Sequence, residues 1–146
     1  MQRYVCKFGG SSLADGVQFK KVADIIKARP VRKYVVASAP GKRYPDDTKV
    51  TDMLYSCYYS AAAGQNYELI LGQIRDRYLS IINDLGIDFD IDSEIDIIDS
   101  SLSRNPQKDY MASRGEYLNA KILAKYLDFG FLDAAECVHF DDNGVF

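Results

Sequence analysis

Arg3 to Phe8 reads RYVCKF and runs directly into Gly9-Gly10-Ser11-Ser12. The run is short, partly β-branched and aromatic, and two glycines halt it, so it predicts a strand that delivers its last residues to a glycine loop. A helix should follow. Val17, Val22, Ile25 and Ile26, with Lys20, Lys21 and Lys27 between them, approximate helical spacing over Gly16 to Arg29, and Pro30 enforces the stop. Lys33 to Ala39 (KYVVASA) is then a nearly continuous apolar run, as expected of a strand covered on both faces. Strand, loop, helix and strand form a βαβ unit, most simply parallel and right-handed, which sets the class as α/β.

Downstream, Pro40 to Lys49 (PGKRYPDDTK) collects prolines, glycine and charges and predicts an exposed loop. Thr51 to Ala63 resumes a helix with Met53, Leu54, Cys57 and Tyr58 on its apolar side, ending at Gly64. The clearest helix spans Asn66 to Leu85, where Tyr67, Ile70, Leu71, Ile74, Tyr78, Ile81, Ile82 and Leu85 recur at three- and four-residue steps before Gly86. Two further helices are expected over about Ser93 to Ser103 and Tyr110 to Leu127, the second facing Met111, Leu118, Ile122 and Tyr126 inward. Phe131 to Ala134 and Cys137 to Phe140 read as short terminal strands.

The 146 residues carry 18 Lys and Arg against 21 Asp and Glu, a net charge of −3 with no basic block, so nothing offers a footprint for nucleic acid or an anionic membrane. One domain suits this length. No signal peptide or membrane-length apolar run is present, which with the cysteine pattern reads as cytoplasmic. Cys6, Cys57 and Cys137 are widely spaced and read as buried thiols. A single histidine, His139, leaves a Ser-His-Asp or Cys-His system only one place for its base.

Lys7, Gly9, Gly10, Ser11 and Ser12 suit phosphate. Glycines let backbone N–H groups approach an anion, a helix start adds favourable partial charge, and Lys7 can neutralise a transferring phosphoryl group. The segment matches neither the P-loop nor the dinucleotide fingerprint, and on its own it is equally a tight turn.

Two more segments add to it: Ser38-Ala39-Pro40-Gly41 with Val50-Thr51-Asp52-Met53-Leu54, and Ser113-Arg114-Gly115-Glu116. With Lys7-Phe8-Gly9-Gly10-Ser11-Ser12, in this order, they resemble the aspartate kinases of the amino acid kinase family. The resemblance runs from Arg3 to the last residue, and Lys42 to Lys49 looks like an expansion of the family's shorter turn. It implies a three-layer αβα fold with a mostly parallel sheet and a helical subdomain around residues 64–110. It also implies that the chain is the N-terminal part of such a kinase domain. The family's later Gly-Arg-Gly-Gly-Ser-Asp segment, nucleotide-base pocket and ACT modules do not follow Phe146, so the resemblance implies a chain inactive alone.

The implied chemistry is attack of the aspartate β-carboxylate on the γ-phosphorus of ATP, giving β-aspartyl phosphate on the way to lysine, threonine and methionine. A carboxylate is already ionised at neutral pH and needs no general base. Lys7 is then the catalytic cation, and Lys7, Phe8, Gly9, Gly10 and Ser11 form the ATP-phosphate site, with Mg²⁺ held mainly by the nucleotide phosphates and no metal ligand from this chain. Ser38, Thr51 and Glu116 form the aspartate site, Glu116 pairing with the ammonium and the hydroxyls donating to a carboxylate. Glu116 three residues after Ser113 is also a capping-box pattern, and Thr51 before Asp52 an N-cap. The parent is expected to be a homo-oligomer.

Asp88, Asp90, Asp92 and Asp99 mimic calcium-loop spacing, but Ser93 replaces the required glycine, so the stretch reads as a solvated acidic helix start. A glutamate or nucleotide-monophosphate kinase of the same fold remains an alternative. So does a non-catalytic assembly module presenting residues 64–110.

Overall fold

The computed structural model describes residues 4–141 and 143–145; Arg3, the expected strand start, lies outside them. Strand β1 (Val5–Phe8) leads through a 3₁₀ turn (Gly10–Leu13) into helix α1 (Gly16–Lys27), followed by strand β2 (Tyr34–Ala37). The strands pair in parallel, Val5 opposite Tyr34 and Phe8 opposite Ala37, with α1 as the crossover. Helices α2 (Val50–Ala62), α3 (Glu68–Leu85), α4 (Ile91–Arg104) and α5 (Lys108–Leu127) complete the fold.

The strand–helix–strand unit is as the sequence predicts, but KYVVASA is not covered on both faces. Helix α5 packs against β2, and Phe8, Val35 and Ala37 join the core. On the alternate positions Val5, Tyr34 and Val36 are exposed, Val5 at 69%. The side-chain period of two lets one face meet the helices while the other does not.

Helix α1 also turns differently from its predicted face. Phe19, Val22, Ala23 and Ile26 are buried, whereas Val17 and Ile25 are exposed. The first set repeats at three- and four-residue steps, which align on one side of a helix; Val17 and Ile25 lie off that stripe. Asp15 caps the helix by accepting from the Gln18 amide at 2.9 Å.

One apolar cluster runs through all five helices. Tyr78 is fully buried at its centre, and its hydroxyl donates to the Gly115 carbonyl at 2.8 Å. Burial holds this phenol well above its ordinary pKa. Tyr78→Phe is expected to lower stability by about 1 kcal/mol, seen as a shifted urea midpoint with unchanged slope. Helix α3 closes on Gly86 at φ 65°, where the Ile87 amide reaches back to the Ile82 carbonyl in a Schellman arrangement.

The expected terminal strands are absent. Ala134–Glu136 forms a 3₁₀ turn, and the amides of Cys137 and Val138 both donate to the Ala134 carbonyl, so donors a ladder would need are used locally. His139 is exposed there. The three cysteines also divide: Cys57 is buried, Cys6 half-buried and Cys137 exposed. Burial pushes the Cys57 thiol up to about 11. Alkylation at pH 8 should therefore label Cys137 first and Cys57 only on unfolding, as peptide mass spectrometry would read.

The acidic stretch acts as a helix start. Asp90 caps α4, accepting from the Ser93 amide at 3.1 Å and the Ser93 hydroxyl at 2.5 Å.

Candidate active site

Parallel pairing brings the ends of β1 and β2 out side by side, so the glycine loop and the Ser38–Gly41 turn leave the same edge. The Ser38 amide donates to the Phe8 carbonyl at 3.1 Å and the Gly41 amide to the Gly10 carbonyl at 2.9 Å. At Gly41 a Cβ would lie 2.6 Å from the Gly10 carbonyl carbon, and at Gly115 one would lie 2.7 Å from the Ala39 Cβ. Glycine loop, turn and α5 therefore meet with almost no side chain between them.

This contact floors a cleft of about 430 Å³ lined by Gly10, Ser11, Ser38, Lys49, Thr51 and Glu116, with Ala39 to Lys42 completing the wall. Five of the eight residues predicted for the site thus converge from four segments of the chain. Lys7, Phe8 and Gly9 stand outside the cleft lining. Phe8 packs its ring against the core and contributes backbone only. Lys7 is exposed, and its Nζ lies 4.0 Å from the position of a Cβ on Gly9, folded back over the loop.

Local geometry corrects several readings. The segment after the glycines is a four-residue 3₁₀ turn, and α1 begins only at Gly16, so the long helix does not aim its N-terminus at Gly9 and Gly10. Glu116 sits in the third turn of α5, not at its start. Ser113 caps nothing: its hydroxyl donates to the Tyr110 carbonyl at 2.8 Å, one turn back. Arg114 lies between the rings of Tyr110 and Tyr117, 4.2 Å from each centroid. At 100° per residue the motif divides its work, with Arg114 on the surface, Gly115 against Ala39 and Glu116 in the cleft. Thr51 is the second residue of α2, not its cap; Lys49 occupies that position and its side chain makes no capping bond.

The loop expected to be exposed has a buried anchor. Asp47 is 8% exposed and accepts from Arg43 at its amide (2.9 Å), Nε (2.8 Å) and Nη2 (2.9 Å), and from Arg77 at 2.5 Å. The Arg43 hydrogen bonds, against the opposing effect of burial and with help from the Arg77 charge, hold its carboxyl far below the ordinary range. Because the folded value is the depressed one, the stability this carboxylate adds is complete above the unfolded value of about 3.9 and is lost as pH falls below it. Asp47→Asn should accordingly flatten the acid side of the stability profile between about pH 4 and pH 2, measured by urea unfolding across that range.

Sequence reasoning also missed Asn119. It is fully buried, its Nδ2 donates to the Ser38 carbonyl at 2.7 Å, and its Oδ1 has no partner among the described residues. Its mid-helix place beside Leu118 and Ile122 was the available signal. Lys42 and Lys49 were missed as well, although both bracket the stretch read as an expanded loop.

A model of the amino acid kinase family matches residues 2–143. The chain belongs to that family. Aspartokinase 3 of Bacillus subtilis is 39% identical over 149 residues, which covers 97% of this chain and 32% of that protein. The chloroplastic aspartokinase 1 of Arabidopsis thaliana is 30% identical over 134 residues, covering 85% and 23%. Among solved structures, the Clostridium acetobutylicum aspartate kinase superposes with a TM-score of 0.93 at 48% identity, over 97% of this chain and 33% of that one. Aspartokinase III of Escherichia coli, solved with aspartate and ADP, shares the fold at TM-score 0.68 and 23% identity, over 87% and 29%. The chain thus has the amino acid kinase fold and spans between about a quarter and a third of these relatives' length.

Proposed function

We propose that this chain forms the phosphate loop and part of the acceptor site of an aspartate kinase. One observation carries the reading: Gly10, Ser11, Ser38, Thr51 and Glu116, distant in sequence, border a single cleft. The similarity to aspartate kinases at 39% and 48% identity supports the substrate.

Each side chain has a role suited to its place. Glu116 supplies the one carboxylate of the cleft lining and would pair with the substrate ammonium, while Ser38 and Thr51 offer hydroxyl donors to a carboxylate. The close packing of Gly10 on Gly41 leaves a backbone surface that phosphate oxygens can approach, and Lys7, exposed beside the loop, can swing toward them. ATP, with Mg²⁺ on its phosphates, supplies the transferred phosphoryl group. The residues here hold the acceptor carboxylate in line and neutralise developing charge, and no proton has to be removed from that carboxylate. The product is an acyl phosphate, β-aspartyl phosphate, which leads toward lysine, threonine and methionine. The same reading makes the whole protein a cytoplasmic homo-oligomer; the free thiols accord with a reducing compartment. Among the described residues no helix is long and apolar enough to cross a membrane.

Calorimetric titration with L-aspartate and with Mg·ATP, each alone, tests this. Aspartate should bind weakly to the chain and not at all to Glu116→Ala. Equal aspartate binding by both proteins would remove Glu116 from the site, and no binding of either ligand would reduce the chain to a scaffold.

A further inference from the structure

Helix α3 lends no residue to the cleft, yet one of its side chains touches the segments that build it. Arg77 is 4% exposed and lies on the same stripe as Ile74, Tyr78 and Ile81, where an apolar residue would be expected. Its guanidinium makes four hydrogen bonds. Nη1 donates to the carbonyls of Ala14 (3.1 Å) and Gly41 (3.3 Å), and Nη2 to Asp47 Oδ2 (2.5 Å) and the Thr48 carbonyl (3.0 Å).

These acceptors are not scattered. Ala14 is the C-cap of the 3₁₀ turn that begins at Gly10; Gly41 is the residue seated on Gly10; Thr48 directly precedes Lys49 and lies three residues before Thr51. We infer that Arg77 is a positioning residue for the proposed phosphoryl transfer, fixing from behind the separation between the glycine loop and the loop of residues 40–49, the acceptor loop. The inference rests on the reading of the cleft given above.

Three physical points support it. A planar guanidinium presents donors in a fixed fork, so one side chain can hold several acceptors at once; an ammonium cannot reproduce that geometry. A buried ion pair stabilises little compared with apolar packing of the same volume, whereas four acceptors on one guanidinium do define one arrangement of the segments that carry them. The reverse side of the acceptor loop, around Arg43, Tyr44 and Thr48, borders an open cleft of about 380 Å³ whose far wall is Gln73, Asp76 and Arg77 of α3, so α3 is the element that faces the loop from behind. Asp47 then works as the second half of the clamp, held by Arg43 within the loop and by Arg77 from α3.

Amide hydrogen exchange on the 146-residue chain, for wild type, Arg77→Met and Arg77→Lys, tests the inference without any ligand. In Arg77→Met, exchange across residues 41–51 and 14–16 should rise on the order of tenfold or more while the buried amides of α3 and α5 keep their protection. Arg77→Lys should fall between, restoring the charge but not the fork. A uniform rise over the whole chain, as a merely structural residue would give, overturns the inference, and so does an unchanged loop. If Arg77→Met unfolds, Arg77→Lys decides by the same localised pattern. L-Aspartate titration of the same proteins separates the two claims: the clamp predicts affinity lowered on the order of tenfold in Arg77→Met. Normal affinity in Arg77→Met overturns the inference with the site intact. Failure of wild type to bind aspartate defeats the reading of the cleft, and the exchange pattern still judges the clamp.

Discussion

On the proposed aspartate kinase reading, Lys7→Ala should lower phosphoryl transfer from Mg·ATP to aspartate in the whole protein by on the order of a hundred- to a thousandfold, with stability almost unchanged. The two halves of that expectation have separate causes. Lys7 is exposed at the end of β1, and removing an exposed, unburied side chain alters stability by only about 0.5 kcal/mol in either direction. Chemistry is another matter, because a carboxylate nucleophile leaves charge neutralisation and alignment as the main work. Lys7 is the cation folded over the glycine loop, while Lys42 and Lys49 stand on the acceptor side of the cleft. Trapping the acyl phosphate with hydroxylamine measures the rate, and a urea titration of the same variant measures the stability. A variant with normal turnover would move the catalytic charge to Lys42 or Lys49.

Gly41→Ala should be damaging in both respects. The added Cβ would lie 2.6 Å from the Gly10 carbonyl carbon, 2.8 Å from the Ser11 amide nitrogen and 2.9 Å from the Gly10 oxygen. All three are backbone atoms, so no flexible side-chain end can yield and the two loops must separate. Overpacking of this kind costs about 1–3 kcal/mol. It also moves Gly10 and Ser11 away from Ser38 and Thr51, so aspartate and Mg·ATP binding should weaken together. Gly72, within α3, is the matched control: nothing lies within 4 Å of a Cβ there. Gly72→Ala should gain about 0.5–1 kcal/mol by helix propensity, with binding intact. Thermal unfolding of both variants reads the opposite signs.

Much of this architecture was legible because single periodicities carried it. The three- and four-residue apolar steps of α3 predicted its buried face almost residue by residue, and a strand run stopped by paired glycines placed β1 and the loop together. The convergence on the candidate cleft was legible through motif order: residues from four separated segments, Gly10 and Ser11, Ser38, Thr51 and Glu116, border it. What escaped was what depends on the third dimension. Asp47 reads as one more charge in a polar loop, and its burial follows only from Arg77, thirty residues on. Arg77 did leave a signal, a charge on an otherwise apolar stripe between Ile74 and Ile81. Ser113 and Glu116 have the spacing of a capping box, yet α5 begins at Lys108, so the same spacing falls mid-helix and Glu116 is free to face the cleft. Val17 and Ile25 are apolar yet lie off the stripe of Phe19, Val22, Ala23 and Ile26, so apolar identity alone does not reveal the buried face of α1.

The claim that the cleft is an amino acid acceptor site is tested most directly by amide-resolved NMR titration with L-aspartate, alongside succinate, which keeps both carboxylates but lacks the ammonium. The expected result is saturable shifts at Gly10, Ser38, Gly41, Thr51 and Glu116 with aspartate, much weaker ones with succinate, and none with aspartate on Glu116→Gln. Equal responses to aspartate and succinate, or shifts that avoid these residues, would contradict it.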